Sequence, residues 1–133
     1  MTDCIQFEIP GDAVPFSRAG SNGKRRFTPA KQSTYMSAVK LFASQAMAGR
    51  SPFDGPVRMI VEAEYRPPAS WSERKKFAAS WKTSRPDADN LYKLVADSLN
   101  GVVFVDDAQI VDARVTKTYA GVSRLVVIVE PLT

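Results

Sequence analysis

Residues 57–65 alternate between apolar and polar side chains, and this pattern constrains the fold more than any other segment does. The odd-numbered positions are apolar and most even-numbered positions are charged, as in Val57, Arg58 and Met59. Successive side chains of a β-strand point to opposite faces, so a period of two predicts a strand with one buried face. Pro67-Pro68 ends the strand because proline cannot donate to the ladder. The chain therefore contains a sheet that is covered on one side.

The other segments show patterns of both helix and strand. Four further strands are predicted, the last two as a hairpin joined at Ala120-Gly121: Ile5–Ile9, Val102–Val105, Ile110–Tyr119 and Ser123–Glu130. Three helices are predicted from capping and periodicity: Thr28-Pro29 to about Ala48, Ser70–Glu73 through Phe77, and Asp89–Asn100 with Gly101 as its stop. About five strands and three helices in 133 residues predict one mixed α/β domain of the α+β kind, with a mixed sheet, over residues 1–133.

The chain contains no histidine and a single cysteine, Cys4. The absence of histidine excludes sites in which an imidazole serves as the base for a serine or cysteine nucleophile. One thiol and no imidazole also exclude a zinc site of the usual kind. Any metal must therefore be held by oxygen, which favours Mg²⁺ or Mn²⁺.

The expected location follows from the same cysteine and from hydropathy. Cys4 cannot form a disulfide within the chain, which favours a reducing compartment. The first residues lack the pattern of a signal peptide. No apolar run approaches the roughly 20 residues that span a bilayer. We therefore expect a cytoplasmic protein without a membrane partner.

Charge is distributed unevenly along the chain. The net charge is +4, from 18 basic and 14 acidic residues. The segment from Arg85 to Asp107 holds five acids and two bases, a net −3, which leaves +7 for the rest. A basic body around one acidic focus suits a protein that holds a polyanion on its surface and a cation at one point. Mild basicity is also common in proteins with neither property.

The acidic focus is the segment Arg85-Pro-Asp-Ala-Asp-Asn-Leu-Tyr-Lys93, followed by Asp97 and Asp106-Asp107. Pro86 disfavours helix in the residue before it, so Asp87 lies on a loop. Asp89 lies at or near the start of the helix, and Lys93 stands one turn later on the same face. The following short strand can return Asp106-Asp107 to this end, provided that helix and strand pack antiparallel.

Three aspartates from two chain segments are a suitable site for one or two Mg²⁺ ions, which take carboxylate and water oxygens. Such a site can activate water and neutralise the charge that builds on a phosphodiester. Lys93 can steady the phosphate or the leaving oxygen, and Arg85 can hold a neighbouring phosphate. The competing interpretation is structural: aspartate before a helix is a common cap, and Asp-Asp after a strand is a common turn.

The run RPDADNLYKLVADSLNGVVFVDDAQIVDARVTK, residues 85–117, closely resembles the central signature of the RusA-like Holliday junction resolvases. That signature is K/R-P-D-x-D-N-x-x-K, then D-x-L-N-G, an apolar strand and D-D-x-Q-V, with a lysine in the next strand that Lys117 matches. The likeness extends more loosely upstream, to the basic run after Trp71 and to the segments around Val14-Pro15 and Phe27–Pro29. Together it covers most of the chain, and only the central third is specific.

The resemblance implies a role for each matched residue. Asp87 and Asp89 would be metal-binding and catalytic carboxylates, Asp107 would be the third, with Asp106 as the alternative, and Lys93 would be the essential lysine. Asp97 is expected to support the site or to cap a neighbouring element. The family fold is a mixed α/β domain that works as a homodimer and uses Mg²⁺, with Mn²⁺ able to substitute, to nick opposed strands of a four-way DNA junction. Such resolvases are often encoded by phages and prophages, which makes that origin plausible.

Basic residues outside the site are candidates for contacts with DNA phosphates. They fall in the glycine-containing loop and on the short helix, and Arg85 adjoins them: Arg18, Lys24, Arg25, Arg26, Arg74, Lys75, Lys76 and Arg85. Phe16 and Phe27 flank the loop, either as wedges at a junction or, more simply, as anchors. Four hypotheses remain: a junction resolvase, a nuclease of the same fold for other branched or single-stranded DNA, a non-cleaving DNA-binding protein, and an unrelated basic domain.

Overall fold

The computed structural model describes residues 3–17 and 30–133. In this part the chain forms four strands and three α-helices. The strands are β1 (Ile5–Pro10), β2 (Val57–Tyr65), β3 (Ile110–Tyr119) and β4 (Arg124–Pro131). The α-helices are α1 (Ala30–Met47), α2 (Glu73–Ala78) and α3 (Ala88–Leu99), and a short 3-10 helix follows at Asp107–Gln109.

The strands form one mixed sheet in the order β1-β4-β2-β3. β2 runs parallel to β3 and antiparallel to β4, and β4 runs antiparallel to β1. The predicted mixed α/β class of the α+β kind is therefore confirmed, with four strands in place of about five. The pattern of β2 is confirmed as well, because its odd-numbered side chains are buried and its even-numbered ones are partly exposed.

The predicted hairpin between β3 and β4 is wrong, since β2 lies between them. Ala120 N donates to Tyr65 O at 2.9 Å, so the connection crosses the end of β2. The burial of β4 explains this placement: Val126 is 3% exposed and Val127 is 0% exposed, although their side chains point to opposite faces. A strand buried on both faces belongs inside a sheet, whereas the largely exposed β3 takes the edge.

The predicted strand at Val102–Val105 is also wrong, because these residues form a tight turn. Gly101 adopts φ 78°, in the left-handed region, and its N–H donates to Phe104 O at 2.7 Å. Val103 and Phe104 are fully buried, so their apolar character fills the core. Phe53 makes an isolated bridge with Phe104, which attaches this turn to the segment before β2.

The helices cover the sheet and hold the site segment. α1 packs on β1 and α3, and α3 packs on β2 and β3. The predicted start of α1 at Thr28-Pro29 lies outside the described residues, while its end at Met47 agrees with the prediction. The cap of α2 is Ser72, whose side chain accepts from Lys75 N at 3.1 Å, and not the predicted Ser70. No helix in residues 3–17 and 30–133 is long and apolar enough to cross a membrane.

Candidate active site

The N-terminus of α3 presents two aspartates to solvent. Asp87 is the N-cap residue, with an extended backbone, and its carbonyl oxygen accepts from the N–H groups of Asn90 and Leu91, each at 3.2 Å. Its carboxylate makes no capping hydrogen bond. Asp89 follows in the first turn and is exposed. Helix capping, the common structural reason for aspartate at this position, therefore does not account for the Asp87 side chain.

The other acidic side chains near basic groups behave differently. On the outer face of the sheet Arg58 pairs with Asp112 at 2.8 Å, and Arg124 pairs with Glu8 at 2.8 Å. Further carboxylates are paired by the same arginines or by lysines of the helices: Glu64, Glu73, Asp97 and Glu130. Among the residues that the structure describes, the salt bridges do not include Asp87, Asp89, Asp106 or Asp107. No basic side chain of this described part neutralises these four carboxylates, which suits them to bind a cation.

Asp106 and Asp107 lie at the start of the 3-10 helix, which Gln109 fixes in place. The Oε1 atom of Gln109 accepts from Asp106 N at 2.8 Å. Its Nε2 atom donates to Phe53 O and Gly55 O, both at 2.8 Å. One side chain thus joins the aspartate pair to the segment that leads into β2. Gln109 sets the position of the pair and leaves the Asp107 carboxylate uninvolved in these bonds.

Tyr92 of α3 lies close to Asp107 and senses its charge. The 3-10 helix packs against α3. Burial, and after it the negative charge of Asp107, raises the pKa of the Tyr92 phenol. Asp107 is also half-buried, whereas Asp106 is exposed. The charge of Asp107 is therefore close enough to Tyr92 of α3 to act on its phenol.

Lys93 lies one turn after Asp89 and is held by two neighbours. Its Nζ atom is 3.2 Å from Asp97 Oδ2, one turn further along α3. The same atom lies 4.8 Å from the ring centroid of Phe16, a distance at which a cation and an aromatic face attract. Phe16 is partly buried against the core, and its N–H donates to Asn90 O at 3.0 Å, so it is an anchor of its segment.

The loop before Asp87 is held from strand β3. The Nζ atom of Lys117 donates to Ser84 O at 3.0 Å and to Pro86 O at 2.8 Å. Arg85, which lies between these two residues, is exposed. Arg85 and Asp87 line a cleft of about 480 Å³, together with residues of the N-terminal segment and of α3: Pro15, Phe16, Ser17, Pro86 and Asn90.

The donors suit a hard cation by their chemistry. The oxygens of Asp87, Asp89 and Asp107 are the ligand type that Mg²⁺ prefers, and none of them is a soft sulfur or an imidazole nitrogen. Within residues 3–17 and 30–133, no three carboxylate or thiol side chains stand close enough together to enclose a metal ion. Carboxylates repel one another without a cation between them, so closer approach would accompany binding.

The predicted DNA contacts divide into three groups. Arg18, Arg25 and Arg26 lie outside the described residues. Lys75 is exposed on α2, with its Nζ atom 4.2 Å from the ring centroid of Trp71. Lys76 is half-buried and its Nζ atom lies 3.3 Å from Glu73 Oε1. Arg85 adjoins the cleft at Asp87.

Lys117 and Gln109 position the backbone around the site, and neither had been assigned a role from the sequence. Lys117 and Gln109 were recognisable only as matched positions of the signature, because a contact between elements 31 or 56 residues apart leaves no local pattern. Their match to the signature was the one feature of the sequence that pointed to them. In the structure, the side chain of each residue donates hydrogen bonds to two backbone carbonyl oxygens.

Two comparisons relate the chain to known proteins. A family model described as "Endodeoxyribonuclease RusA" matches residues 10–130. The chain is also similar to the "Uncharacterized protein YqaN" of Bacillus subtilis (strain 168), with 38% identity over 139 aligned residues that cover 96% of each chain. The description of that relative supplies no activity. The family match spans the three α-helices, strands β2 and β3, nearly all of β4 and the aspartate segment, and the chain therefore belongs to the RusA endodeoxyribonuclease family.

Proposed function

We propose that this protein is a Mg²⁺-dependent, structure-selective endodeoxyribonuclease that resolves four-way DNA junctions by paired symmetric nicks. The observation that carries the proposal is the state of Asp87. It occupies the N-cap of α3, yet its carboxylate makes no capping bond, and it borders a cleft beside Arg85. The chain belongs to an endodeoxyribonuclease family, so the substrate that we propose for this site is DNA.

Asp87, Asp89 and Asp107 would hold the metal, with Asp106 as the alternative to Asp107. A bound Mg²⁺ would supply an activated water and neutralise charge on the phosphodiester. Mn²⁺ is expected to substitute, since it takes the same oxygen ligands. Arg85 is exposed at the cleft and would bind a phosphate next to the one that is cut.

Lys93 would act at the same phosphate. Its Nζ atom is held on the Asp89 face of α3 by Asp97, at 3.2 Å. A fixed ammonium group near the leaving oxygen stabilises the negative charge that appears there as the bond breaks. The lysine needs no proton-transfer role for this effect, because the charge alone attracts the oxygen.

We further propose that the working form is a homodimer. A four-way junction has approximate two-fold symmetry, and each resolution event requires two nicks at symmetric positions. A two-fold dimer with one site per subunit matches that requirement. The basic residues named above, Lys75, Lys76 and Arg85 among those described, would contact the junction arms. Sedimentation or light scattering of the isolated protein tests the stoichiometry.

The proposed function is tested with a panel of DNA substrates. Purified protein is incubated with a synthetic four-way junction, a flap, a single strand and a linear duplex, each with Mg²⁺, Mn²⁺ or EDTA. We expect paired nicks in the junction with either metal and no product with EDTA. Cleavage of flaps or single strands in preference to the junction would show that the proposed substrate is wrong. Binding without cleavage in either metal would contradict the proposed nuclease activity.

The choice between the two neighbouring aspartates is tested by a matched pair of variants. Asp107→Asn should abolish cleavage, because it removes a metal ligand. Asp106→Asn should retain it, because we assign the third ligand to Asp107, the less exposed of the two aspartates. The reverse pattern would assign the third ligand to Asp106 and would leave the rest of the proposal unchanged.

A further inference from the structure

An open aromatic and basic pocket is lined by residues that precede the candidate active site along the chain. Its volume is about 560 Å³, and its lining includes Trp71, Trp81 and Tyr119. The rings of Trp71 and Tyr119 lie 5.2 Å apart between centroids, with their planes at 59°. Such a tilted pair fixes the segment before the site against β3. We call this cavity the Trp81 pocket.

Two lysines accompany the aromatic rings. Lys75 lines the pocket, and its Nζ atom lies 4.2 Å from the Trp71 ring centroid. Lys82 is adjacent, with its Nζ atom 5.1 Å from the Tyr65 ring centroid and 5.3 Å from that of Tyr119. Both ammonium groups are therefore held at the aromatic walls and remain close to solvent, where they attract anions.

Trp81 is more exposed than anchoring of this segment requires. Its backbone bridges to Thr118, which attaches it to the edge of the sheet, yet the residue remains 66% exposed. An exposed indole beside cations is the arrangement by which proteins bind unpaired nucleotides, since each base offers a π-face and each phosphate a negative charge. Packing of the fold explains Trp71 and Tyr119, whose rings contact each other. It does not explain the exposed ring of Trp81, which is therefore the candidate for binding a ligand.

The pocket is close enough to the aspartates for both to contact the same DNA strand. Ser84 forms part of its wall and is three residues before Asp87. Three residues of extended chain span at most about 11 Å, which is about three nucleotide steps along one duplex strand. Lys117 ties the intervening loop to β3 through Ser84 O and Pro86 O. A base in the pocket would thus belong to a nucleotide within about three steps of the phosphate at the aspartates.

We propose that the Trp81 pocket binds an unpaired nucleobase of the DNA substrate within about three nucleotides of the phosphate that is cut. Trp81 stacks on the base, and Lys75 and Lys82 neutralise the adjoining phosphates. This proposal rests on the proposed function in that both require DNA as the ligand. It adds a requirement for unpaired bases near the cut, which a strand end supplies and which a four-way junction supplies when base pairs at its centre open.

The first test measures stacking directly in the absence of metal. The chain has two tryptophans, so the Trp71→Phe variant reports from Trp81 alone. We expect an oligothymidylate to quench this fluorescence saturably in EDTA. Unquenched fluorescence at oligonucleotide concentrations that saturate binding, measured independently by anisotropy, would overturn the proposal.

The second test measures affinity in matched variants. Trp81→Leu, which keeps an apolar side chain but loses the ring, should weaken binding of the oligothymidylate on the order of tenfold, whereas Trp81→Phe should bind nearly as wild type. The control is Phe77→Leu, since Phe77 is 95% exposed on α2 and lies outside the pocket wall. Equal affinities for wild type and Trp81→Leu would overturn the proposal, provided that circular dichroism shows both to be folded.

The two proposals fail in different ways. If wild type cuts the four-way junction and Trp81→Leu cuts and binds equally well, the pocket assignment is wrong and the function stands. If wild type cuts no substrate but binds the oligothymidylate in a Trp81-dependent manner, the pocket assignment stands and the nuclease proposal is wrong.

Discussion

The Nζ atom of Lys117 on strand β3 lies 2.8 Å from the carbonyl oxygen of Pro86, the residue that precedes Asp87. A second bond to Ser84 O, at 3.0 Å, completes the attachment of this loop to the sheet. The position of the Asp87 carboxylate thus depends on a side chain from another element. Misplacement of a catalytic group by about 1 Å can lower a rate roughly a hundredfold.

We predict that Lys117→Met lowers the cleavage rate roughly 10- to 100-fold, because the loop loses both bonds while the aspartates remain. Lys117→Arg, which keeps the charge and can reach one carbonyl, should recover part of the rate. Single-turnover cleavage at saturating Mg²⁺ measures this effect. An unchanged rate in the folded Lys117→Met variant would show that the loop needs no attachment.

Asp97 is predicted to position Lys93. Asp97→Asn should lower the single-turnover rate on the order of tenfold, since the ammonium group loses its partner at 3.2 Å and is no longer fixed near the phosphate. Junction affinity should stay the same or rise slightly, because a negative charge is removed. Asp112→Asn is the control, as Asp112 pairs with Arg58 on the outer face of the sheet. Equal rates for wild type and Asp97→Asn would refute the positioning role.

Gln109 is predicted to stabilise the aspartate pair and the fold together. Gln109→Met removes three hydrogen bonds to backbone groups, each worth roughly 0.5–1.5 kcal/mol, so we expect a loss of about 1.5–4.5 kcal/mol in the free energy of unfolding. Metal binding should weaken as well, because Asp107 is held less firmly. Urea unfolding and Mg²⁺ titration measure the two effects. Gln45→Met, at an exposed position of α1, should change neither quantity.

Two buried tyrosines predict how stability depends on alkaline pH. Burial, and after it the charges of Tyr65 and Asp12, raises the pKa of the Tyr35 phenol, and burial followed by Asp12 raises the pKa of Tyr65. The folded protein therefore keeps both phenols protonated above their ordinary pKa of 10.0, where the unfolded chain loses the protons. Because the unfolded state then binds fewer protons, the free energy of unfolding should fall as the pH rises above 10.0.

Tyr35→Phe tests this dependence. The Tyr35 hydroxyl is buried and has no hydrogen-bond partner among residues 3–17 and 30–133, so its removal should leave stability near neutral pH unchanged or slightly higher. Above pH 10.0 the variant should lose about 1.4 kcal/mol less per pH unit than wild type. Identical pH profiles for the two proteins would show that the Tyr35 phenol is not protected from ionisation.

The elements with regular local patterns were predictable from the sequence. Strand β2 follows from its period of two, and helix α3 from its apolar spacing and from Gly101, whose φ of 78° confirms the predicted left-handed stop. The placement of Asp87, Asp89 and Lys93 at one helix terminus was predictable because the three lie within seven residues. Local rules set all of these features.

The remaining features depend on partners that are distant along the chain. β3 and β4 are adjacent in sequence, which suggested a hairpin, but the apolar run of β4 buries both faces and places β2 between them. The apolar run at Val102–Val105 resembled a strand, whereas Val103 and Phe104 fill the core from a turn. The roles of Lys117 and Gln109 likewise depend on carbonyl groups that only the tertiary structure brings near.

The most direct measurement of the central claim is cleavage of a synthetic four-way junction in Mg²⁺ by wild type and by Asp89→Asn, together with the junction affinity of each in EDTA. Asp89 is exposed in the first turn of α3, so its substitution by the isosteric amide should leave the fold intact. We predict paired symmetric nicks by wild type, none by the variant, and junction binding by the variant that is equal or tighter because a negative charge is lost. Wild-type cleavage rates in Asp89→Asn would contradict the assignment of the active site to these aspartates.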